Sequence, residues 1–144
     1  MLLLTPAALD AIQAHGQQAY PNEGAGLLLG RADGADKRVE AMLPLTNRSE
    51  AGQQHHRYLL TPQDMLHGED EAARRGLEVI GVFHSHPDHP AQPSEFDREW
   101  ALPWYAYVIT SIRQGQADQS RAWRLKDDRS AFDEEKIVFR NEGV

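Results

Sequence analysis

The chain has 144 residues, close to the common size of one domain, and 40% of them are hydrophobic, which is enough for a buried core. Charged residues make up 26% and the formal net charge is -7. This balance argues against a nucleic-acid partner, since binding a phosphate backbone requires a basic surface. There is no cysteine, so thiolate ligands are excluded and any metal must be held by His, Asp or Glu.

The first elements of the chain are predicted from a short apolar run and a helix start signal. Leu2–Leu4 is too short for a signal peptide or a membrane helix, and we interpret it as a strand. We therefore expect no membrane association, and the lack of cysteine fits a cytoplasmic protein. Thr5 followed by Pro6 is typical of a helix N-terminus, and a helix is predicted to continue to Ala19. Pro21 follows its end.

Two strands and a second helix are predicted in the next part of the chain. Residues 24–30 are small and apolar, and residues 37–45 alternate in hydropathy, with Asp33 and Gly34 forming the turn between them. The polar residues 47–56 are predicted to form a mobile loop. A helix is then predicted from Thr61 to about Arg75, where a following glycine is a natural stop signal.

The remaining pattern completes a mixed α/β arrangement. Residues 78–83 have the composition of a buried strand, and a short helix is predicted to begin at Ser94. Three further strands are predicted at 105–110, 120–125 and 137–139. We interpret Trp123 as a core residue. The order of helices and strands indicates an α/β sandwich with mixed strand directions, and residues 1–144 show no break that would indicate more than one domain.

Two histidines follow the predicted strand at 78–83. Side chains alternate between the two faces of a strand, so His84 and His86 point the same way, as two ligands of one cation would require, and Ser85 points oppositely. A catalytic zinc commonly has three protein ligands and one water. Asp97 is the best third candidate, because it lies in the first turn of a helix that begins at Ser94.

Each half of this pattern also has an ordinary interpretation. His84 and His86 could be surface polar residues beside a strand end. Ser94 and Asp97 could form a capping box, in which both side chains satisfy amides at the helix N-terminus. Glu23, upstream, could be a solvated carboxylate at a strand start. The combination of the two motifs at fixed spacing is much more demanding than either motif alone, and it favours a metal site.

The segment from His84 to Asp97 resembles the zinc signature of the JAMM (MPN-plus) metallopeptidases, H-x-H-P-x6-S-x2-D, at every position. Glu23, followed by a glycine-containing apolar strand, resembles the upstream glutamate of that family. The resemblance extends over nearly the whole chain and is closest to the compact, stand-alone prokaryotic branch. It implies the JAMM/MPN fold, which is cytidine-deaminase-like.

Position by position, the resemblance implies that His84, His86 and Asp97 bind Zn²⁺. It implies that Glu23 is the general base and then the acid, and that Ser94 stabilises the oxyanion. The implied reaction is hydrolysis of a peptide or isopeptide bond after the C-terminal Gly-Gly of a ubiquitin-like or β-grasp sulfur-carrier protein. The alternatives are a zinc amidohydrolase that acts on a small amide and a non-catalytic MPN scaffold. A monomer and a homodimer are both compatible with the sequence.

Four further polar residues are candidates for contact with a substrate. We interpret His89 as a solvated loop residue and Asn47 as a loop-capping residue, although each could line the site. His55 and His56 are adjacent, so on a strand they would face opposite ways and could not easily bind one metal together.

Overall fold

The structure is a computed structural model that describes residues 1–47 and 60–139, and within these ranges it contains three helices and eight strands. The helices are α1 (Pro6–Ala19), α2 (Pro62–Arg74) and α3 (Glu95–Trp100). The strands are β1 (Leu2–Leu4), β2 (Ala25–Asp33), β3 (Asp36–Leu45), β4 (Glu78–Pro87), β5 (Ala106–Arg113), β6 (Gln116–Leu125), β7 (Phe132–Glu135) and β8 (Ile137–Phe139). Apart from Asn47, the predicted loop at 47–56 lies outside the described residues, as do His55 and His56.

All eight strands belong to one sheet, in the order β7-β6-β5-β4-β2-β3-β1-β8. Strand β4 is parallel to β5, and β1 is parallel to β3 and β8. The other neighbouring pairs are antiparallel. The predicted α/β fold with a mixed sheet is therefore confirmed. Strands β4 and β2 occupy the centre of the sheet, where both of their edges are paired.

The core lies on both faces of this sheet. Helix α1 packs on one face through Ala8 and Ile12, which share a buried cluster with Leu28 of β2. On the other face, Ala72 of α2 packs in a cluster with Leu27 of β2. Because consecutive residues of β2 are buried on opposite faces, this strand is apolar throughout instead of alternating in polarity. The glycine-bounded apolar run in the sequence is thus explained by burial between two layers of helices.

The helix boundaries follow the predicted start and stop signals. The Thr5 side chain accepts a hydrogen bond from the Ala8 amide at 3.2 Å, at the start of α1. Thr61 and Asp64 form a capping box at the start of α2. Gly76, just after α2, has a φ of +68°, a left-handed conformation that favours glycine. These local interactions involve residues close in sequence, which is why they could be predicted.

Two features of the sheet were not predicted. Strand β7 (Phe132–Glu135) is rich in acidic residues and has a weak strand signal, but it pairs with β6, where Arg121 forms a bidentate contact with Glu134. Strand β6 also begins four residues before the predicted start at 120, because Gln114 and Gly115 have positive φ and form a tight turn after β5.

The sheet curls so that its two edges are joined by one segment of chain. Strands β7 and β8 lie at opposite ends of the strand order, but only Lys136 separates them in sequence. The Leu2 amide donates to the Lys136 carbonyl at 2.8 Å, and the N-terminal amino group lies 3.7 Å from a Glu135 carboxylate oxygen.

Among the helices of the described residues, none is long and apolar enough to cross a membrane.

Candidate metal centre

The central strand β4 carries both histidines of the predicted site. It continues past the predicted end at residue 83 and stops at Pro87, so His84 and His86 lie in extended backbone and share one face. Their exposed fractions are 0% and 7%, respectively. The rings are held inside the protein at the end of a strand that is paired on both sides, which fixes their position.

Ser85, between the two histidines, points to the opposite face and connects β4 to the segment before β2. Its hydroxyl accepts a hydrogen bond from the Gly24 amide at 2.8 Å, and its own amide donates to the Gly24 carbonyl at 3.0 Å. Both residues are buried. These two bonds position Glu23, the residue immediately before Gly24, beside the histidines.

Asp97 forms the capping box that the sequence allowed, and it also lies beside the two histidines. It forms the capping box of α3: the Ser94 amide donates to Asp97 Oδ2 at 2.8 Å, and the Asp97 amide donates to the Ser94 hydroxyl at 3.1 Å. The same Oδ2 atom lies 3.2 Å from Nε2 of His84 and 3.2 Å from Nε2 of His86. The capping geometry therefore directs the carboxylate towards the histidine pair.

These three atoms have the spacing expected for the ligands of a tetrahedral metal. The two Nε2 atoms are also 3.2 Å apart, so the three atoms form a nearly equilateral triangle. Such a triangle is one face of a tetrahedron whose centre lies about 2.0 Å from each corner, which matches zinc–nitrogen and zinc–oxygen distances. Together with a carboxylate oxygen of Glu23, the possible ligand atoms all lie within 4.8 Å of one another.

The protonation preferences of His84 and Asp97 agree with a metal site, whereas the metal-free site favours the protonated ring of His86. Burial lowers the pKa of His84, which favours the neutral ring that can bind a metal. Burial also acts to lower the pKa of His86, but the hydrogen bond and the charge of Asp97 outweigh it and raise the pKa. Burial acts to raise the pKa of Asp97, but the two histidines hold it well below its usual range. Asp97 is thus an anion beside two imidazoles.

The tautomer of His86 is set by a backbone carbonyl. Nδ1 of His86 lies 2.9 Å from the carbonyl oxygen of Pro90, and because a carbonyl can only accept, Nδ1 carries the proton. The lone pair of the neutral ring is then on Nε2, which faces His84 and Asp97. An Nδ1–H that donates to a carbonyl is the usual outer support of a metal-binding histidine.

Glu23 is buried with an exposed fraction of 4%, and burial raises the pKa of its carboxyl group to about 8. Within the described residues, its Oε1 atom is buried without a hydrogen-bond partner. A buried carboxylate oxygen without a partner is unfavourable, whereas a nearby cation would stabilise the charged form. The donor set of two imidazoles and a carboxylate, with Glu23 beside it, therefore fits a divalent metal ion.

An open cleft of about 500 Å³ leads to this cluster, and its lining includes Glu23, His86 and Ser94. Ser94 is exposed at the cleft. Its oxygen accepts from the Asp97 amide, which leaves its own O–H able to donate towards a molecule in the cleft. His89 also lines this cleft. Asn47 instead donates to the Glu23 carbonyl at 3.0 Å, in agreement with its predicted role as a capping residue.

The fold and the cluster define a class of protein: mixed-sheet α/β domains in which two histidines, an aspartate and a glutamate could hold a metal ion. The family described as prokaryotic homologs of the JAB domain matches residues 5–126. The chain belongs to this family. The resemblance to JAMM proteins that the sequence indicated is thereby confirmed.

Several curated proteins are similar to the chain. The "Probable TtuB-protein conjugate cleaving protease" of Thermus thermophilus is 30% identical over 78% of this chain and 74% of that protein. The "Desampylase" of Haloferax volcanii is 32% identical over 76% of this chain and 80% of that protein. "Tail tip assembly protein K" of Escherichia phage N15 is 35% identical over 67% of this chain, but the match spans only 37% of that longer protein.

Solved structures show the same fold. A protein from Desulfitobacterium hafniense has a TM-score of 0.86 at 34% identity, covering 99% of this chain and 94% of that one. A protein from Salinibacter ruber has a TM-score of 0.75 at 46% identity, covering 97% and 92%. A JAB1/MPN domain protein from Archaeoglobus fulgidus has a TM-score of 0.59 at 17% identity, covering 97% of each chain, which supports the fold alone.

The structure thus brings together all five residues that the sequence singled out for the site. The contact of Ser85 with Gly24 was not predicted, although a signal for it was present in the sequence. A residue between two ligands on one strand must face the other side of the sheet, so a small hydroxyl residue there was a candidate for contact with the backbone behind the site.

Proposed function

We propose that this chain is a zinc-dependent metallopeptidase that hydrolyses peptide or isopeptide bonds after the C-terminal Gly-Gly of ubiquitin-like or sulfur-carrier proteins. The observation that carries the proposal is the triangle of three ligand atoms 3.2 Å apart, with the buried Glu23 beside it. The names of two relatives, a conjugate-cleaving protease and a desampylase, support it. We also propose that residues 1–144 form a single domain.

In this proposal His84, His86 and Asp97 hold the zinc ion. When bound, zinc supplies a Lewis acid and makes a water molecule acidic enough to ionise near neutral pH. Two neutral imidazoles and one carboxylate carry one negative charge in total, so this ligand set would leave part of the positive charge of the zinc ion uncompensated. His86 is kept in the required tautomer by the Pro90 carbonyl, so it needs no rearrangement to bind the ion.

We assign the proton transfer to Glu23 and the stabilisation of the developing negative charge to Ser94. Glu23 takes a proton from the attacking water and later delivers it to the nitrogen of the leaving amine. Burial raises the pKa of this carboxyl group and a bound cation would lower it again, and this balance suits a group that first accepts and then donates a proton. The exposed Ser94 hydroxyl donates to the carbonyl oxygen of the substrate as negative charge develops there.

The preference for glycine at the cleaved bond is proposed from the family resemblance, and the buried position of the ligands is compatible with it. The ligands and Glu23 are buried, so a substrate carbonyl must enter the cleft and come within about 3–3.5 Å of the attacking water. Pro87, Pro90 and Pro93 line the cleft and restrict its backbone movement. We propose that an extended Gly-Gly tail, which has no side chains beside the bond, enters the cleft and forms main-chain hydrogen bonds there.

The test is to incubate the zinc-loaded protein with a β-grasp carrier fused through its C-terminal Gly-Gly to an amine. The matched substrate has valine in place of the last glycine, and the matched enzyme control is Glu23→Gln. We expect cleavage of the Gly-Gly fusion only, abolished by a chelator and reduced about 10²-fold or more in the Glu23→Gln protein. Equal cleavage of both fusions would favour the small-amide alternative, and zinc binding without any cleavage would favour a scaffold.

A further inference from the structure

The loop that follows β4 is held by side chains from three neighbouring strands. Three consecutive carbonyl oxygens of this loop each lie within hydrogen-bonding distance of a side-chain nitrogen or oxygen. Ser111 of β5 donates to the His89 carbonyl at 2.7 Å. His86 of β4 contacts the Pro90 carbonyl at 2.9 Å. Trp123 of β6 donates to the Ala91 carbonyl through Nε1 at 3.0 Å.

The start of the same loop is fixed as well. Asp88 has a φ of +56°, and its amide donates to the Ile112 carbonyl at 2.7 Å. Its carboxylate accepts hydrogen bonds from the Tyr20 hydroxyl at 2.6 Å and from the Gln114 amide at 2.8 Å. The segment from 88 to 91 is therefore attached to Tyr20, just after α1, and to three strands of the sheet.

These contacts matter to the metal centre because of the carbonyl in the middle. The Pro90 carbonyl orients the His86 ring, and on either side of it Ser111 and Trp123 hold the adjacent peptide groups. If either neighbour were released, the Pro90 carbonyl would be free to turn away from Nδ1. The ring would then lose the support that fixes its tautomer and directs Nε2 to the cluster.

We propose that Ser111 and Trp123 are positioning residues for the metal centre, which act through the loop at 88–91 and the Pro90 carbonyl to hold His86 in its ligand conformation. This inference rests on the proposed function in one respect only, namely that the cluster binds zinc. It adds a role for Trp123, which also packs against a buried cluster, in agreement with its predicted place in the core. The indole ring is half-buried, with Arg121 over it at 4.7 Å, and its N–H is directed at the loop.

The experiment compares three variants of the full chain that keep every proposed ligand. Ser111→Ala removes the first donor, and Trp123→Phe removes the indole N–H while keeping an aromatic ring. Ser120→Ala is the matched control: its hydroxyl lies 2.7 Å from that of Thr110, on the same two strands, and within the described part of the chain this is a contact between strands and not with the loop. Zinc affinity is measured by competition with a chromophoric chelator, and the visible spectrum of the Co²⁺-substituted protein reports the geometry of the ligands.

We expect Ser111→Ala and Trp123→Phe to weaken zinc binding by about 10-fold, the lower end of the range for supports outside the ligand shell, and to alter the Co²⁺ spectrum. Ser120→Ala should keep the wild-type affinity even if it unfolds at a lower temperature. Wild-type affinity in both loop variants, or an equal loss in Ser120→Ala, would overturn the inference. Zinc affinities that follow this expectation in a protein that cleaves no fusion would overturn the proposed peptidase activity alone.

Discussion

Asp97 offers a way to separate metal binding from helix capping, because one carboxylate oxygen caps α3 and is also the proposed zinc ligand. The perturbation is a pair of substitutions at this position, Asp97→Asn and Asp97→Ala. The amide of asparagine can still accept a hydrogen bond from the Ser94 amide, the bond that measures 2.8 Å with the native residue, but it is a poor zinc ligand. Alanine removes the cap and the ligand together.

The expected magnitudes follow from these two roles. Loss of the capping interaction should make the metal-free Ala variant about 1 kcal/mol less stable than the Asn variant, or about 3 °C in Tm for a chain of this length. Zinc at a hundredfold excess over its Kd should stabilise the wild type by about 2.7 kcal/mol, or about 8 °C. If the Asn substitution weakens binding about a hundredfold, the same zinc concentration gives only about 0.4 kcal/mol, or about 1 °C.

The assay is thermal unfolding of each protein with a chelator and again with a fixed excess of zinc. Glu95→Gln is the matched control, because it removes the same charge from the first turn of α3, where Glu95 is exposed and pairs with Arg98 at 2.7 Å. This control should keep the full zinc-induced shift. A full shift in Asp97→Asn would refute the ligand assignment, and equal metal-free stability of the Asn and Ala variants would refute the capping contribution.

Three further substitutions test neighbouring residues. Glu23→Gln should retain zinc while cleavage falls about 10²-fold, and turnover at the wild-type rate would rule out Glu23 as the base. Ser94→Ala should cost about 1 kcal/mol of stability and lower kcat by roughly 10²–10³, whereas a lower Tm with unchanged kcat would leave it a structural role only. Ser85→Ala leaves the buried Gly24 amide without its acceptor, so unfolding in urea should show a loss of about 1–3 kcal/mol. An unchanged urea midpoint would contradict that role.

The parts of the site that could be predicted are those set by spacing along the chain. The alternation of a strand places His84 and His86 on one face, and the geometry of a capping box fixes Asp97 relative to Ser94. Glu23 needed the family resemblance, because it lies more than sixty residues upstream of the histidines and nothing local distinguishes it from a solvated carboxylate. The contacts of Ser111 and Trp123 with the loop depend on how the strands are arranged, which local patterns do not specify.

The fold shows the same division between local and long-range information. The α1 and α2 helices begin and end at capping signals in their own sequences, and the apolar strands were predicted because burial on both faces leaves a clear pattern. Strand β7 has little strand propensity of its own. It is extended because it pairs with β6, where Arg121 and Arg124 also face its acidic residues, and this pairing forms only after the chain has turned back on itself.

The single residue between β7 and β8 has a consequence for the solubility of the folded chain. An unpaired edge strand can recruit strands from other molecules, and short edge strands are one protection against this. Here the two edges of the sheet are strands of four and three residues. Strands β7 and β8, together with Lys136, form one segment, residues 132–139. If this segment detached, it would expose the edges of the longer β6 and the apolar β1 at the same time, because Lys136 links the two edge strands. Self-association is therefore expected to depend on how often this one segment opens, and a protein shortened before Phe132 should aggregate even with its metal centre intact.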